Sequence, residues 1–228
     1  MKGLYETQIK CPICDHEYQM TKVLTRRARV IKRDEDFCPY YKNLNPIFYS
    51  VSICPNCGYA SFDSTREDLT LNQKELYRLK VMPKWNERDL NQQRDADDAI
   101  KTYKLLLLTY RVIDAKESKI AKACLRLAWL YRYKADEEKE KRYLKQMIKH
   151  NELAFKKEDL SDAERQELEI MYILGETYRK FGELRQAINW FSKVSNHEKI
   201  NANRVIKLKN REQWLIATEE YREGKENV

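Results

Sequence analysis

Cys11-Pro12-Ile13-Cys14 and Cys54-Pro55-Asn56-Cys57 are two short cysteine hairpins in the first quarter of the chain. Four thiolates at this spacing close a tetrahedron around one zinc ion. Residues 1–65 therefore read as a metal-stapled module, because so short a segment buries too little apolar surface to fold without help. Each pair carries proline directly after its first cysteine, which presets φ near about −65° for the turn. After the second cysteine the chain needs a left-handed residue so that backbone N–H groups face sulfur. Gly58 suits that position and Asp15 tolerates it.

Other readings of the cysteines fit less well. Two disulfides would require an oxidising compartment. A thioredoxin-type redox pair would open the helix of a strand–helix–strand unit, and neither copy does. Cys38, in Asp36-Phe37-Cys38-Pro39, and His16 are further potential ligands. Four paired cysteines already complete a closed structural site, which leaves Cys38 as a small buried apolar residue and His16 as a surface or hydrogen-bonding residue. A catalytic zinc would keep an open position, and neither the H-x-E partner of a deaminase nor the H-E-x-x-H helix of a metalloprotease is present.

Composition bounds the rest. A chain of 228 residues, 42% hydrophobic and 35% charged, with five glycines and five prolines, describes a helix-rich globular protein of one or two domains. No apolar run reaches membrane-span length, and Met1-Lys2-Gly3-Leu4-Tyr5-Glu6 lacks the apolar core of a signal peptide. A cytoplasmic location is expected, where cysteines stay reduced and able to bind metal.

The net charge of +8 invites a nucleic-acid reading. Residues 1–65 carry nine Lys and Arg against seven Asp and Glu, or +2. A zinc ion held by four thiolates adds about −2 and leaves the module nearly neutral. Its basic cluster, Arg26, Arg27, Arg29, Lys32 and Arg33, runs straight into Asp34, Glu35 and Asp36, which weakens a phosphate-tracking surface. Within the module Tyr18 to Val23, Ala28 to Lys32 and Phe48 to Ile53 read as short strands, with an inserted loop around Asp34 to Pro46.

From about residue 66 the pattern is helical, broken at Met82-Pro83-Lys84-Trp85. Leu174-Gly175-x-x-Tyr178, Phe181-Gly182 and Ala187-x-x-x-Phe191 follow an order of large, small, aromatic, turn, small and aromatic that is similar to the tetratricopeptide repeat. A weaker copy runs through Leu127-Ala128-x-x-Tyr131, Leu144 and Met147, with Glu140 where a small residue belongs. Ala99-x-x-x-Tyr103 fits a helix of a further unit, and Asn203 to Tyr221 reads as a capping helix. Cys124 falls at a core position of its repeat.

The expected fold class is α+β, mostly α: a zinc-ribbon-like module at 1–65, a helical connector at 66–95, and tetratricopeptide-like helices with a C-terminal cap at 96–228. Aligning the two repeat copies turns Lys122, Trp129, Arg132, Tyr133, Tyr172, Arg179 and Lys180 toward a groove, where aromatic bodies with basic tips suit a peptide bearing acidic groups. For Trp129 and Tyr172 the alternative is packing between neighbouring helices.

Cys-Pro-Ile-Cys, Arg29-Val30-x-Lys32-Arg33-Asp34-x-Asp36-Phe37, Asn45-Pro46-x-Phe48-Tyr49 and Cys54-Pro55-Asn56-Cys57-Gly58-Tyr59-Ala60 together resemble the bacterial domain-of-unknown-function family numbered 2225. The likeness is close over the cysteine module and loose over the helices. It implies paired CPxC hairpins joined to repeat-like helices and no particular activity. The function expected is a non-catalytic cytoplasmic adaptor in which one structural zinc ion (Zn2+) stiffens the module and the helices bind a protein or peptide partner. The alternative is a nucleic-acid or ribosome-associated protein using Arg26 to Arg33 and the strip Arg204, Lys207, Lys209 and Arg211. An enzyme is disfavoured, because no Gly-rich phosphate loop or paired nucleophile and base stands in the chain.

Overall fold

The computed structural model describes residues 3–62, 69–160 and 164–226. Its described elements are six short strands followed by seven helices, an α+β fold that is mostly α. The strands are β1 (Leu4–Lys10), β2 (Glu17–Val23), β3 (Val30–Arg33), β4 (Pro39–Tyr41), β5 (Val51–Ile53) and β6 (Ala60–Phe62). They pair as three two-stranded sheets, β1-β2, β3-β4 and β5-β6. The first and third are the hairpins that carry the cysteine pairs. In β1-β2 the register sets Lys10 opposite Glu17 and Gln8 opposite Gln19, and in β5-β6 Ser52 faces Ser61 with their hydroxyls 3.1 Å apart.

The expected strands near 18–23, 28–32 and 48–53 are β2, β3 and β5, but the last is shorter than its pattern. Asn45 accepts from the Ile47 amide through its side chain, and Pro46–Tyr49 winds into a 3-10 turn instead. β1, β4 and β6 carry no alternation that marked them in advance; each exists through its partner strand.

The helices are α1 (Leu71–Lys80), α2 (Ala96–Val112), α3 (Glu117–Tyr133), α4 (Glu137–Lys157), α5 (Glu164–Lys180), α6 (Leu184–Ser195) and α7 (Arg204–Glu226). A capping box starts α1, with Thr70 Oγ1 accepting from the Gln73 amide and Gln73 Oε1 accepting from the Thr70 amide. Three helix ends close on a left-handed residue: Asp114 after α2, Ala135 after α3 and Gly182 after α5, at φ 49°, 53° and 74°. The two repeat copies share this closure to the bond. The Asp136 amide reaches the Tyr131 carbonyl at 3.0 Å, and the Glu183 amide reaches that of Tyr178 at 3.0 Å. Glu140, the misfit of the weaker copy, pairs with Arg132 at 2.7 Å, so the turn gains an ion pair where the better copy buries Ala187.

By compactness the chain divides into two units. One comprises residues 1–32 and 40–150, the other residues 33–39 and 151–228, with the division inside α4. In the first unit Phe62 meets Tyr103 edge-on and Tyr110 at a tilt, with ring centroids 5.9 and 6.3 Å apart, so β6 is anchored on α2 through aromatic contacts. In the second, α5 and α6 form an antiparallel pair at whose crossing Gly175 admits the Phe191 ring. A Cβ at Gly175 would lie 2.6 Å from that ring.

Candidate metal centre

The two cysteine turns have the same construction. In the first, the Asp15 amide donates to the Cys11 carbonyl at 3.0 Å and the Cys11 amide to the His16 carbonyl at 2.9 Å. In the second, the Gly58 amide donates to the Cys54 carbonyl and the Cys54 amide to the Tyr59 carbonyl, both at 2.8 Å. Asp15 and Gly58 take φ 58° and 74°, the left-handed conformation that each turn requires after its second cysteine. The Ile13 amide points at Cys11 Sγ, 3.4 Å away.

These turns bring four sulfurs together. Cys11 and Cys57 lie 3.6 Å apart, as do Cys14 and Cys54, and all four Sγ atoms fall within 4.8 Å of one another. A metal with bonds of about 2.3 Å to a tetrahedron of sulfurs has edges of about 3.8 Å, so the cluster is able to coordinate one. A disulfide would need about 2.05 Å, and Cys11, Cys14, Cys54 and Cys57 form none. Hydrogen bonds from Cys11 and Cys57 hold the Cys54 thiol far below its usual range, while the bond with Cys54 pushes Cys11 up to about 12 and the bond with Cys11 pushes Cys57 up as well. Four adjacent sulfurs cannot all ionise by themselves, and a bound divalent cation removes that conflict. Among the described residues no other group of three or more His, Cys, Asp or Glu side chains is placed to hold a metal. His16 is exposed and stacks beside Tyr18, and Cys38 and Cys124 are buried elsewhere.

The support of this centre comes from residues 78–94, within the stretch 66–95 expected to be a helical connector. Arg78, in the last turn of α1, donates from Nε and Nη2 to the Ile13 carbonyl in the first cysteine turn. Trp85 Nε1 donates to the Pro55 carbonyl at 2.7 Å in the second. The Trp85 ring lies against Gly58 so closely that a Cβ there would be 2.4 Å away, and Arg88 covers the ring at 4.6 Å. Asn91 then joins the two hairpins. Its side chain donates to the Ile53 carbonyl and accepts from the Ile53 amide, at 2.6 and 3.0 Å, while its backbone carbonyl accepts from the Thr21 amide at 3.0 Å. Arg94 is buried and spends its guanidinium on the carbonyls of Phe48, Val51 and Leu90 and on Asn91 Oδ1. Burial lowers its pKa to about 10. The only signal of this strap in the sequence is the tryptophan after the Met82-Pro83 break.

The residues expected to face a partner divide between the units. In the first, Lys122 is exposed with Nζ 4.9 Å above the Phe62 ring, and Arg132 pairs with Glu140. Tyr133 meets Tyr40 and Phe48 at 5.5 and 6.3 Å, and Trp129 is buried at 2% exposure under Arg126. In the second unit Tyr172 is 0% exposed, against Phe37 and Phe191. Arg179 is held between Glu176 and Glu220, and Lys180 Nζ stands 3.8 Å from Asp36. Trp129 and Tyr172 are thus buried side chains. Of the expected basic clusters, Arg26, Arg27 and Arg29 are exposed, Lys32 lies over Tyr40, and Lys209 pairs with Glu35.

The family model described as "Uncharacterized protein conserved in bacteria (DUF2225)" matches residues 4–217, a span that includes both cysteine turns, the strap and α1–α6. The chain belongs to this family. A curated relative, an uncharacterized protein of Borreliella burgdorferi, is 27% identical over 154 residues, which cover 60% of this chain and 55% of the relative. The chain thus spans about half the length of that curated relative. No solved structure matches the chain. Among the described residues no helix is long and apolar enough to cross a membrane.

Proposed function

We propose that this DUF2225 protein is a non-catalytic cytoplasmic adaptor: one zinc ion, held by Cys11, Cys14, Cys54 and Cys57, stiffens the strand module, and the helical pairs bind a protein or peptide partner. The observation that carries the reading is the closure of the sulfur cluster. Four cysteines from two matched turns supply a full tetrahedral set, which is the hallmark of a structural rather than a catalytic zinc. Thiolates also favour zinc over magnesium, calcium or manganese. The Arg78, Trp85 and Asn91 contacts immobilise the turns from outside, as expected of a site that holds a fold together.

On the helices of the first unit, Lys122 carries its exposed ammonium group above the Phe62 ring, a basic tip of the kind that an acidic partner would meet, while Arg132 pairs with Glu140 within the fold. Elemental analysis of the purified protein is expected to give about one zinc per chain; iron, or no metal, rejects the structural-zinc reading. The variant Lys122→Glu is expected to lose partner capture in a pull-down from bacterial lysate with little change in melting temperature. Tight binding to RNA or DNA that weakens steeply with salt, with no protein captured, rejects the adaptor reading for a nucleic-acid one.

A further inference from the structure

Residues 33–39 fall between the cysteine pairs in sequence, yet they belong to the compact unit built by residues 151–228. They form a closed turn. The Asp34 amide donates to the Cys38 carbonyl and the Phe37 amide to the Asp34 carbonyl, both at 2.9 Å, and the Cys38 amide reaches Asp36 Oδ1 at 3.3 Å. Phe37 takes φ 65°, a conformation that a bulky L residue adopts only when its surroundings impose it.

Those surroundings are three side chains of α5 and α7. The Phe37 ring packs on Tyr172 at 5.0 Å. The Asp36 carboxylate, 1% exposed, lies 3.8 Å from Lys180 Nζ, and Glu35 pairs with Lys209 at 2.5 Å. One aromatic ring and two carboxylates on a preformed turn therefore meet one aromatic ring and two ammonium groups on the helices, which is how a helical-repeat protein takes a short motif. The occupant does not use all that the surface offers. The Tyr172 hydroxyl is fully buried and has no hydrogen-bond partner, although Glu176, Glu35 and Asp36 all act on it electrostatically. A ligand that met this hydroxyl as well would hold the surface better than residues 34–38 do.

We propose that the surface around Tyr172, Lys180 and Lys209 is a receptor for a tight turn carrying an aromatic residue beside two carboxylates. Residues 34–38 are its resident occupant, and the partner displaces them with a turn of the same chemistry. The inference rests on the adaptor reading and names the partner's binding element. A tethered occupant acts at an effective concentration on the order of mM, so the wild-type chain is expected to take up a free copy of the turn only weakly.

The test uses the full chain and a fluorescein-labelled, backbone-cyclised peptide of residues 32–40 with Cys38→Ser, read by fluorescence anisotropy. Asp36→Asn with Phe37→Ala in the full chain empties the surface and is expected to tighten peptide binding at least about tenfold over wild type, because the competent fraction rises. Adding Lys180→Glu and Lys209→Glu is expected to reverse that gain, and a scrambled peptide of equal charge is expected not to bind. Equal binding by emptied and wild-type chains, or equal binding of the scrambled peptide, overturns the proposal. So does an emptied chain that dimerises on sedimentation and ignores the peptide, since its surface would then be filled by a second copy. If circular dichroism shows the emptied chain unfolded, Glu35→Lys replaces it. That substitution loosens the occupant from the rim, and an unchanged anisotropy titration for it overturns the proposal equally. Partner capture that still depends on Lys122 while no variant binds the peptide rejects the turn receptor alone. Loss of both rejects the adaptor reading too.

Discussion

Gly58 carries two constraints at once. Its φ of 74° lies where a side chain is strained, and the Trp85 ring occupies the space that a Cβ would need. Left-handed strain costs about 1–3 kcal/mol and overpacking a similar amount, so Gly58→Ala is expected to lower stability by roughly 2 kcal/mol or more and to weaken any metal binding by the four cysteines. Thermal melting with metal analysis measures both, and an unchanged melting temperature refutes the Trp85 contact. Asp15 holds the matching position at φ 58° with no such neighbour among its described contacts, and its ion pair to Lys10 is exposed. Asp15→Gly is therefore expected to leave stability level or raise it by a few tenths of a kcal/mol. At Glu176 two opposing effects meet. Burial raises its carboxyl pKa, and the Arg179 guanidinium, 3.0 and 3.1 Å from its two oxygens, offsets this only in part. An acid whose pKa is raised on folding favours the native state at low pH and loses that advantage as pH climbs from the ordinary carboxylate value through the raised one. Urea midpoints taken between about pH 4 and pH 7 are thus expected to fall less steeply for Glu176→Gln than for wild type.

The cysteine turns and the helix crossings belong to the scale of elements, and the same glycine logic decides the α5–α6 pair. Replacing Gly175 with alanine gains about 1 kcal/mol of helix propensity, but the new Cβ meets the Phe191 ring at 2.6 Å and overpacking costs about 1–3 kcal/mol. The net expectation is a destabilised protein, and Phe191→Leu in the same chain is expected to recover part of the loss in a double-mutant cycle. Additive effects would show that the crossing tolerates the methyl group. These features were legible from residue types because each depends on local spacing. CPxC turns, the Gly175–Phe191 pairing and Gly182 at a helix end all act within a few dozen residues of themselves. The weaker copy's Glu140 read as a defect, since the spacing carries no hint that Arg132 waits across the turn. β1, β4 and β6 went unseen for a different reason: three to seven residues paired to one neighbour bury too little to leave a periodic pattern. The strap was hidden most completely. Asn91 and Arg94 act through hydrogen bonds to backbone carbonyls and amides, and a backbone partner leaves no mark on the sequence of the strand that provides it.

At the scale of the molecule, a metal ion held by the four cysteines would contribute more than any single contact. A structural zinc adds on the order of 10 kcal/mol of folding free energy to a small module, comparable to the whole net stability of an ordinary domain. Cys14→Ser or Cys57→Ser is expected to melt the strand hairpins while much of the far-ultraviolet helical signal persists, and prolonged chelation of the wild type is expected to do the same. Full retention of the near-ultraviolet aromatic signal after metal removal would mean that the aromatic packing of Phe62, Tyr103 and Tyr110 suffices without it. Asn91 extends the requirement along the chain. Because its carbonyl and side chain complete the backbone pairing of β2 and β5, residues 1–65 alone lack the piece that clasps the two hairpins. On a ribosome, then, all four cysteines leave the exit tunnel well before their clasp does. During that interval the growing polypeptide carries four cysteines whose hairpins Asn91 does not yet join.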